Sequence, residues 1–436
     1  MPSMTRLRLP LRVSSVRNRW RPSLRAVSSI YATNLALLLI GAVTGVMTAR
    51  ALGASGKGEV AIVQAMVGTI AFVCTLSVDQ AYVFMASKKD APRLMGRAVR
   101  DGFVAGTMIG GLIAITATLL DGRLPGGPSL YVLTSLSVPF STSGLFALSV
   151  LQGGKEFRMW NVLRFLNASG YLLALIFAIV VSELTPTRVI QCYVAATACF
   201  WLTIVYAVRH ELLSATLANG EKQTSESRVT RDLLHYGSRT HISALQSMLN
   251  QQVDISIMAF FTTTAVVGRY SLAVSVVGPL AMIGPAVAAY LFPKIAGRTG
   301  AASIGTILKL VAIVAVVAGF LWAIVSPMLI GPIFGTSFGG LGVTIALLCS
   351  AMVPLSLSFV LFAWWKGQNR PQRAAWAEGA ALLIILLLLP GLVSRYGAAG
   401  AAGVSLGSYS VSCLVVYAMY RRAIGQGLRA TGAPRT

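Results

Sequence analysis

Polar side chains recur along one face of the segment at 238–262, which is otherwise apolar and long enough to cross a membrane. They follow the spacing i, i+4, i+7, i+11 and i+15: Arg239, Ser243, Gln246, Asn250 and Asp254. At 100° per residue these positions lie within a stripe about 80° wide and about 22 Å long. Hydrocarbon does not solvate such a stripe, so it must face water or other polar groups. The pattern predicts a polar passage through the membrane.

Two acids, Asp79 and Asp254, are interpreted as the only ones deep within predicted membrane spans. A carboxylate at membrane depth is costly unless it is paired, hydrated or protonated. We expect Asp254 to pair with Arg50 or Arg269, and Asp79 to lie at the depth of Arg239. In one interpretation, both acids have a structural role and pair with residues of neighbouring helices. In the other, one of them takes up a proton or cation in one conformation and couples transport to an ion gradient. Asp254 is the stronger candidate because its helix face is more polar.

The composition is that of an integral membrane protein with many helices. Of 436 residues, 56% are hydrophobic and 11% charged, and the mean hydropathy is +0.74. Soluble domains have about 25% charged residues. Twelve segments have membrane length, at 30–49, 59–86, 101–120, 129–151, 165–182, 189–208, 238–262, 266–291, 304–328, 340–365, 374–394 and 399–420.

The basic residues predict the orientation of these spans. When Lys and Arg are assigned to alternate sides, 30 of the 36 fall on the side that also holds both termini. Because cytoplasmic loops are enriched in Lys and Arg, both termini are expected to be cytoplasmic. The net charge of +23 is then mainly a determinant of topology. It is expected to contact anionic lipids rather than nucleic acid.

The chain divides into two similar halves. We predict a basic, disordered cytoplasmic arm (1–29), a six-helix lobe (30–208), a cytoplasmic linker (209–237), a second six-helix lobe (238–420) and a cytoplasmic tail (421–436). VPFSTS at 138–143 matches VPLSLS at 353–358, which lies 215 residues later, and Gly58 matches Gly268, which lies 210 residues later. Because each lobe has an even number of spans, the lobes are expected to be parallel. Two such lobes can enclose a central cavity and rock about it, as in many secondary transporters.

The sequence contains no motif for nucleotide binding or metal-dependent catalysis. It has no Walker A motif, no His-Glu-x-x-His and no Cys-x-x-Cys, and no acid–base pair is placed on a sizeable extramembrane segment. The histidines lack the spacing of a metal site. We therefore expect no enzymatic activity, no cofactor and no metal.

Three stretches resemble one family of membrane proteins. ARALGASGKGEVAIVQAMV at 49–67 with LSVDQAYVF at 76–84, the Gly268–Ser271 turn with Phe292-Pro293, and LQGGKEFR at 151–158 resemble the bacterial polysaccharide (O-antigen, Wzx-type) flippases. These belong to the multidrug/oligosaccharidyl-lipid/polysaccharide exporter superfamily. The resemblance implies a MATE-like fold of about twelve transmembrane helices in two lobes around a cavity. It also implies flipping of a lipid-linked oligosaccharide across the bacterial cytoplasmic (inner) membrane, for the biosynthesis of surface polysaccharide such as lipopolysaccharide.

A polyprenyl-diphosphate sugar has an anionic, hydrated head and a long apolar tail, so its head needs a polar cavity while its tail stays in lipid. Amide side chains can form hydrogen bonds with the sugar hydroxyls, and cationic side chains can bind the diphosphate. The candidate cavity residues are Asn34, Arg50, Gln64, Arg239, Gln246, Asn250 and Arg269. In the alternative interpretation these residues do not bind substrate: the arginines reach the membrane interface, and the amides form hydrogen bonds between helices. Other polysaccharide-assembly membrane proteins are candidate partners. The alternative functions are a drug or small-cation antiporter of the same superfamily, and a scaffold without transport.

Overall fold

Helices form nearly all of the part of the protein that the computed structural model describes, namely residues 24–88, 91–120, 123–209, 231, 233–235, 237, 253–296, 304–368, 370 and 372–425. In the first half they are α1 (Leu24–Cys74), α2 (Val78–Lys88), α3 (Ala91–Leu119), α4 (Pro128–Ser135), α5 (Val138–Gly153), α6 (Phe157–Val181) and α7 (Pro186–Ala207). In the second half, a helical segment at 253–261 precedes α8 (Thr264–Ala281), α9 (Ile283–Ala296), α10 (Ile304–Phe334), α11 (Gly342–Gly367) and α12 (Gln372–Gly425).

Nine helices within the described ranges are long and apolar enough to cross a membrane. Two of them turn sharply at a glycine: α1 contains the first predicted span and part of the second, and α12 contains the last two. Gly53 has φ 64° and Gly397 has φ 55°, a left-handed conformation that glycine adopts without steric cost. With 253–261 belonging to the seventh span, each of the twelve predicted spans has helical residues. The prediction of an all-α, polytopic fold is confirmed.

The second predicted span, 59–86, is interrupted. α1 ends at Cys74 and α2 begins at Val78, and between them Leu76 and Ser77 have φ 49° and 52°. Positive φ is unfavourable for residues with a Cβ atom. Residues 75–77, between the two helices, include neither Gly nor Pro, so the sequence contains no conventional signal for this break.

The fourth and tenth spans differ despite their matching motifs. The fourth is divided into α4 and α5, with Pro139 in the first turn of α5, where the missing proline N–H costs no helix hydrogen bond. The matching Pro354 lies inside the continuous helix α11. The two halves therefore share a motif without sharing its local geometry.

Helices also extend beyond the predicted spans at both ends of the chain. α1 begins at Leu24, inside the arm predicted to be disordered, and α12 ends at Gly425, inside the predicted tail. Helical hydrogen bonding continues into the polar residues that flank an apolar run, so hydropathy does not mark where the helix ends. The remainder of the arm and the tail, and most of the 209–237 linker, lie outside the described residues.

The hydrophobic core is shared by the two halves at the end of the bundle that contains the Gly53 turn, which we call the Gly53 end. There, Ile62 of α1 belongs to the same cluster of buried side chains as Leu272 of α8 and Phe338. The other two large clusters each belong to one half: the first includes Tyr82, Phe146 and Ile204, and the second includes Trp365, Ala377 and Val416. Among the residues that the structure describes, the halves thus share a core at the Gly53 end, and the other clusters of buried side chains each belong mainly to one half.

The outer surface of the bundle is apolar. Val180 is 80% exposed, Leu119 79% and Leu387 74%. Water-soluble proteins rarely expose large contiguous apolar surface. Such a surface is suited to contact with lipid.

Glycines spaced four residues apart on α3 bring this helix against the broken fourth span. A Cβ atom on Gly106 would lie 2.6 Å from Pro139 Cα and 2.8 Å from Val138 O, whereas a Cβ atom on Gly111 would have no neighbour within 4 Å. Small residues at this spacing allow close backbone approach between membrane helices. Because the atoms facing Gly106 are backbone atoms, a methyl group there cannot be accommodated by a rotamer change.

Gly106→Ala is therefore expected to destabilise the protein, by about 1–3 kcal/mol from overpacking. Gly111→Ala is the matched control on the same helix. It should leave the melting temperature unchanged or raise it, because alanine favours helix over glycine by about 1 kcal/mol. Thermal unfolding of both variants in detergent tests this, and equal melting temperatures would show that the α3 contact tolerates a methyl group.

Candidate functional site

Asp254 lines a cavity of about 230 Å³ that is formed by the second half of the chain. Its polar lining consists of Asp254, Tyr270, Ser358, Glu378, Ser405, Tyr409 and Ser412. The rest of the lining is mainly apolar, including Leu348 and Phe362. Two carboxyl groups and several hydroxyls within an apolar shell can hold a proton or a small cation, because carboxylates and hydroxyls supply the oxygens that cations prefer.

Hydrogen bonds hold Asp254 in this cavity. Tyr270 Oη donates to Asp254 Oδ2 at 2.5 Å, and the backbone N–H of Ile255 donates to Oδ1 at 2.8 Å. The Tyr270 hydroxyl also lies 3.0 Å from Ser405 Oγ. The network connects the 253–261 segment with α8 and α12. Asp254 is thus satisfied by neutral donors, and among the described residues it forms no salt bridge with Arg50 or Arg269.

Arg50 and Arg269 instead bind backbone carbonyls of the second half. Arg50 Nε donates to Ile333 O at 2.7 Å, and its Nη2 donates to Pro332 O. Arg269 Nε donates to Ser337 O at 3.2 Å. The last carbonyls of a helix have no partner within the helix and favour a cation. The end of α10 therefore attracts Arg50, which links the first half to the second.

A pair of glycines brings α1 and α8 into direct backbone contact. A Cβ atom on Gly58 would lie 1.8 Å from Thr264 O, and one on Gly268 would lie 1.9 Å from Ala54 O. We call this the glycine contact. Beside it, Ser55 Oγ and Thr264 Oγ1 are 2.9 Å apart. The two glycines matched between the halves by sequence thus meet at the Gly53 end, where no side chain fits between them.

The other predicted cavity residues that are described lie apart from Asp254. Asn34 Oδ1 accepts a hydrogen bond from Arg164 Nη1 at 3.1 Å. Gln64 is half-buried on α1. Asp79 is buried in the first turn of α2 and accepts a hydrogen bond from Gln80 Nε2 at 2.7 Å. An acid is favourable at a helix N-terminus, so the restart of the helix explains this position of Asp79.

Three predicted cavity residues, Arg239, Gln246 and Asn250, lie outside the described residues and remain predictions.

Sequence analysis missed Glu378, although it falls inside the predicted span 374–394. Glu378 lines the same cavity as Asp254, so Asp79 and Asp254 are not the only acids that belong with the membrane helices. A search of each span from end to end would have found it. Tyr270 was noted only as part of a turn motif, and its contact with Asp254 depends on the packing of α8.

Long apolar helices, an apolar outer surface and an acidic cavity between helices define a multi-pass membrane protein. The structure of the lipid II flippase MurJ in an inward closed conformation is similar, with a TM-score of 0.73, 12% identity, and coverage of 92% of this chain and 88% of that one. An inward-facing multidrug resistance MATE family transporter of the MOP superfamily matches with a TM-score of 0.65, 13% identity, and coverage of 94% and 100%. The eukaryotic MATE transporter AtDTX14 matches with a TM-score of 0.60 and 12% identity, and the match covers 94% of this chain and 99% of that one.

A profile of the polysaccharide biosynthesis protein family matches residues 23–297, and the chain belongs to that family. The predicted resemblance to the polysaccharide flippases and the MATE-like fold are both confirmed. A search among proteins of curated function found no match.

Proposed function

We propose that this protein flips a lipid-linked, polyprenyl-diphosphate oligosaccharide from the inner to the outer leaflet of the bacterial cytoplasmic membrane, for the biosynthesis of surface polysaccharide. The observation that supports this most directly is that, within the described ranges, the halves share a hydrophobic core at the Gly53 end and have their own clusters of buried side chains elsewhere. Two bundles joined at one end can rock about that contact and expose a passage to each side in turn. In a member of the polysaccharide biosynthesis family, the solute for such a passage is a glycan carried on a lipid.

In this proposal, the Gly53 end faces the outside and the chain termini are cytoplasmic. The long apolar tail of the substrate stays in lipid while the hydrated head passes between the halves. The cavity at Asp254 and Glu378 binds the proton or cation that couples flipping to an ion gradient. Anionic lipids and other polysaccharide-assembly membrane proteins are the further partners.

The orientation gives a direct prediction. A reporter fused after Arg435 should lie in the cytoplasm, and one inserted near Gly126 should lie outside the membrane. The reason is that 30 of the 36 basic residues are assigned to the side of the termini. Paired alkaline phosphatase and green fluorescent protein fusions measure both positions. An external reporter at the C-terminus would contradict the topology.

A drug or small-cation antiporter is the second candidate. It is favoured by the two acids of one cavity, Asp254 and Glu378, since carboxylates attract organic cations, and by the similarity of the fold to MATE transporters. The two candidates differ in the charge of the solute: the flippase needs to bind an anionic head, whereas the antiporter needs to bind a cation.

Reconstitution distinguishes them. The purified full chain is placed in proteoliposomes that contain either a fluorescent polyprenyl-diphosphate oligosaccharide or a cationic dye such as ethidium. We expect gradient-dependent movement of the lipid-linked sugar, measured by its accessibility to an added glycosidase or quencher, and no accumulation of the dye. Gradient-driven dye transport without flipping would favour the antiporter.

A further inference from the structure

Lys57 occupies an unusual position for a lysine in a membrane protein. It lies between the Gly53 turn and Gly58 on α1, is half-buried, and reaches back to the preceding span, where its Nζ donates to Thr48 Oγ1 at 3.3 Å. Thr48 is itself buried, and its hydroxyl donates to Thr44 O at 2.8 Å. The ammonium group is therefore held against a neutral hydroxyl, one residue from the glycine contact.

No carboxylate among the described residues lies within salt-bridge distance of Lys57. An ammonium group has three N–H donors, and within the same part of the chain Thr48 is the acceptor for one of them. Removing a cation from water without a counter-ion is costly. Lys57 lies between the predicted spans 30–49 and 59–86, and a half-buried ammonium group without a counter-ion at that position is suited to bind an anion.

The two described arginines that sequence analysis assigned to the substrate head are engaged elsewhere. Arg50 and Arg269 donate to the carbonyls of Ile333 and Ser337, so binding an anion would require these contacts to break. Lys57 needs to give up only one long hydrogen bond to a hydroxyl. Gln64 lies seven residues further along the same helix face, about 10 Å away, and its side chain makes no hydrogen bond to the described residues.

We propose that Lys57 binds the diphosphate group of the lipid-linked substrate, with the Gln64 amide placed further along the passage for a sugar hydroxyl. This rests on the proposed flippase function and assigns the anion to a residue. An ammonium group binds phosphate oxygens by charge-assisted hydrogen bonds, which are stronger than the present bond to Thr48. The position next to Gly58 also places the bound anion beside the contact that closes the Gly53 end.

The test measures ligand binding to the purified full chain in detergent. The probes are farnesyl diphosphate and farnesol, which differ only in the diphosphate, and phosphatidylglycerol is added as a competing anionic lipid. Lys57→Gln removes the charge and Lys57→Arg keeps it. Lys309→Gln is the matched control, because Lys309 is exposed on α10. Thermal unfolding and farnesol binding report whether each variant is folded.

We expect Lys57→Gln to bind farnesyl diphosphate about 10- to 100-fold more weakly than wild type, as follows from losing a charge-assisted bond, while its farnesol binding is unchanged. Lys57→Arg should retain most of the affinity, and Lys309→Gln should match wild type. Unchanged diphosphate affinity in Lys57→Gln would overturn the assignment and leave the flippase function standing. If phosphatidylglycerol displaced the probe as well as unlabelled farnesyl diphosphate does, the assignment would also be overturned, in favour of a general lipid-phosphate site. A wild-type chain that does not prefer the diphosphate over farnesol would overturn the flippase function together with the site.

Discussion

Gly268→Ala is expected to reduce flipping of a lipid-linked oligosaccharide by at least about tenfold, because the Gly53 end can no longer close. The added methyl group would lie 1.9 Å from Ala54 O, a backbone atom that can move only with its helix. Gly58→Ala should have the same effect, since its methyl group would lie 1.8 Å from Thr264 O. Overpacking of this kind costs about 1–3 kcal/mol, which shifts a balance between two conformations by about 5- to 150-fold. Contacts this short with backbone atoms place both variants toward the upper end of that range.

The closed state can be followed separately from transport. In a background without native cysteines, the Ser55→Cys/Thr264→Cys pair should cross-link readily, because the two side-chain oxygens are 2.9 Å apart. Adding Gly268→Ala should lower the yield. Gly45→Ala is the control on α1, since a Cβ atom there would have no neighbour within 4 Å, and it should preserve both cross-linking and flipping. Wild-type flipping by Gly268→Ala would mean that closure does not need the glycine contact.

Asp254→Asn should abolish the dependence of flipping on an ion gradient while the protein remains folded. The amide keeps the shape of the carboxyl group. Its one oxygen can accept the hydrogen bond from the Ile255 N–H, and its NH2 group can donate to the Tyr270 hydroxyl, which can in turn donate to Ser405. It cannot bind a proton or attract a cation as a carboxylate does. Glu378→Gln is expected to have the same effect if both acids of the cavity hold the ion.

The measurement compares proteoliposomes with and without an imposed proton or sodium gradient. Asp79→Asn is the matched control, because Asp79 lies outside this cavity, at the start of α2, and its loss should leave the gradient dependence intact. If Asp254→Asn responds to the gradient as wild type does, the residue has a structural role and the coupling ion binds elsewhere.

Hydropathy and charge were sufficient to predict the helical spans, because a membrane requires long apolar helices whatever their neighbours are. The break at Leu76 and Ser77 was not predictable in that way. Neither residue favours positive φ, so tertiary packing must impose it. The turns at Gly53 and Gly397 are different, because there the residue type itself permits the conformation.

The candidate site was harder to predict, since a side chain's partner depends on packing. Arg50 was expected to pair with an acid, but the free carbonyls at the end of α10 satisfy it, and these are visible only once the helices are placed. Asp254 was singled out as an acid within an apolar segment, yet its hydrogen-bond partner Tyr270 and its cavity neighbour Glu378 come from other helices. Lys57 lies between two predicted spans, where a lysine is unremarkable, and its partner Thr48 becomes known only from the path of its side chain.

The network around Asp254 and the glycine contact share one turn of α8, because Tyr270 lies two residues beyond Gly268. In the proposed mechanism, this shared turn links ion binding in the cavity to separation of the halves. Such linkage is reciprocal: an ion that binds ten times more tightly when the glycines are apart favours their separation by the same factor, about 1.4 kcal/mol. Any force that separates the two halves must in turn raise the affinity of the cavity for that ion.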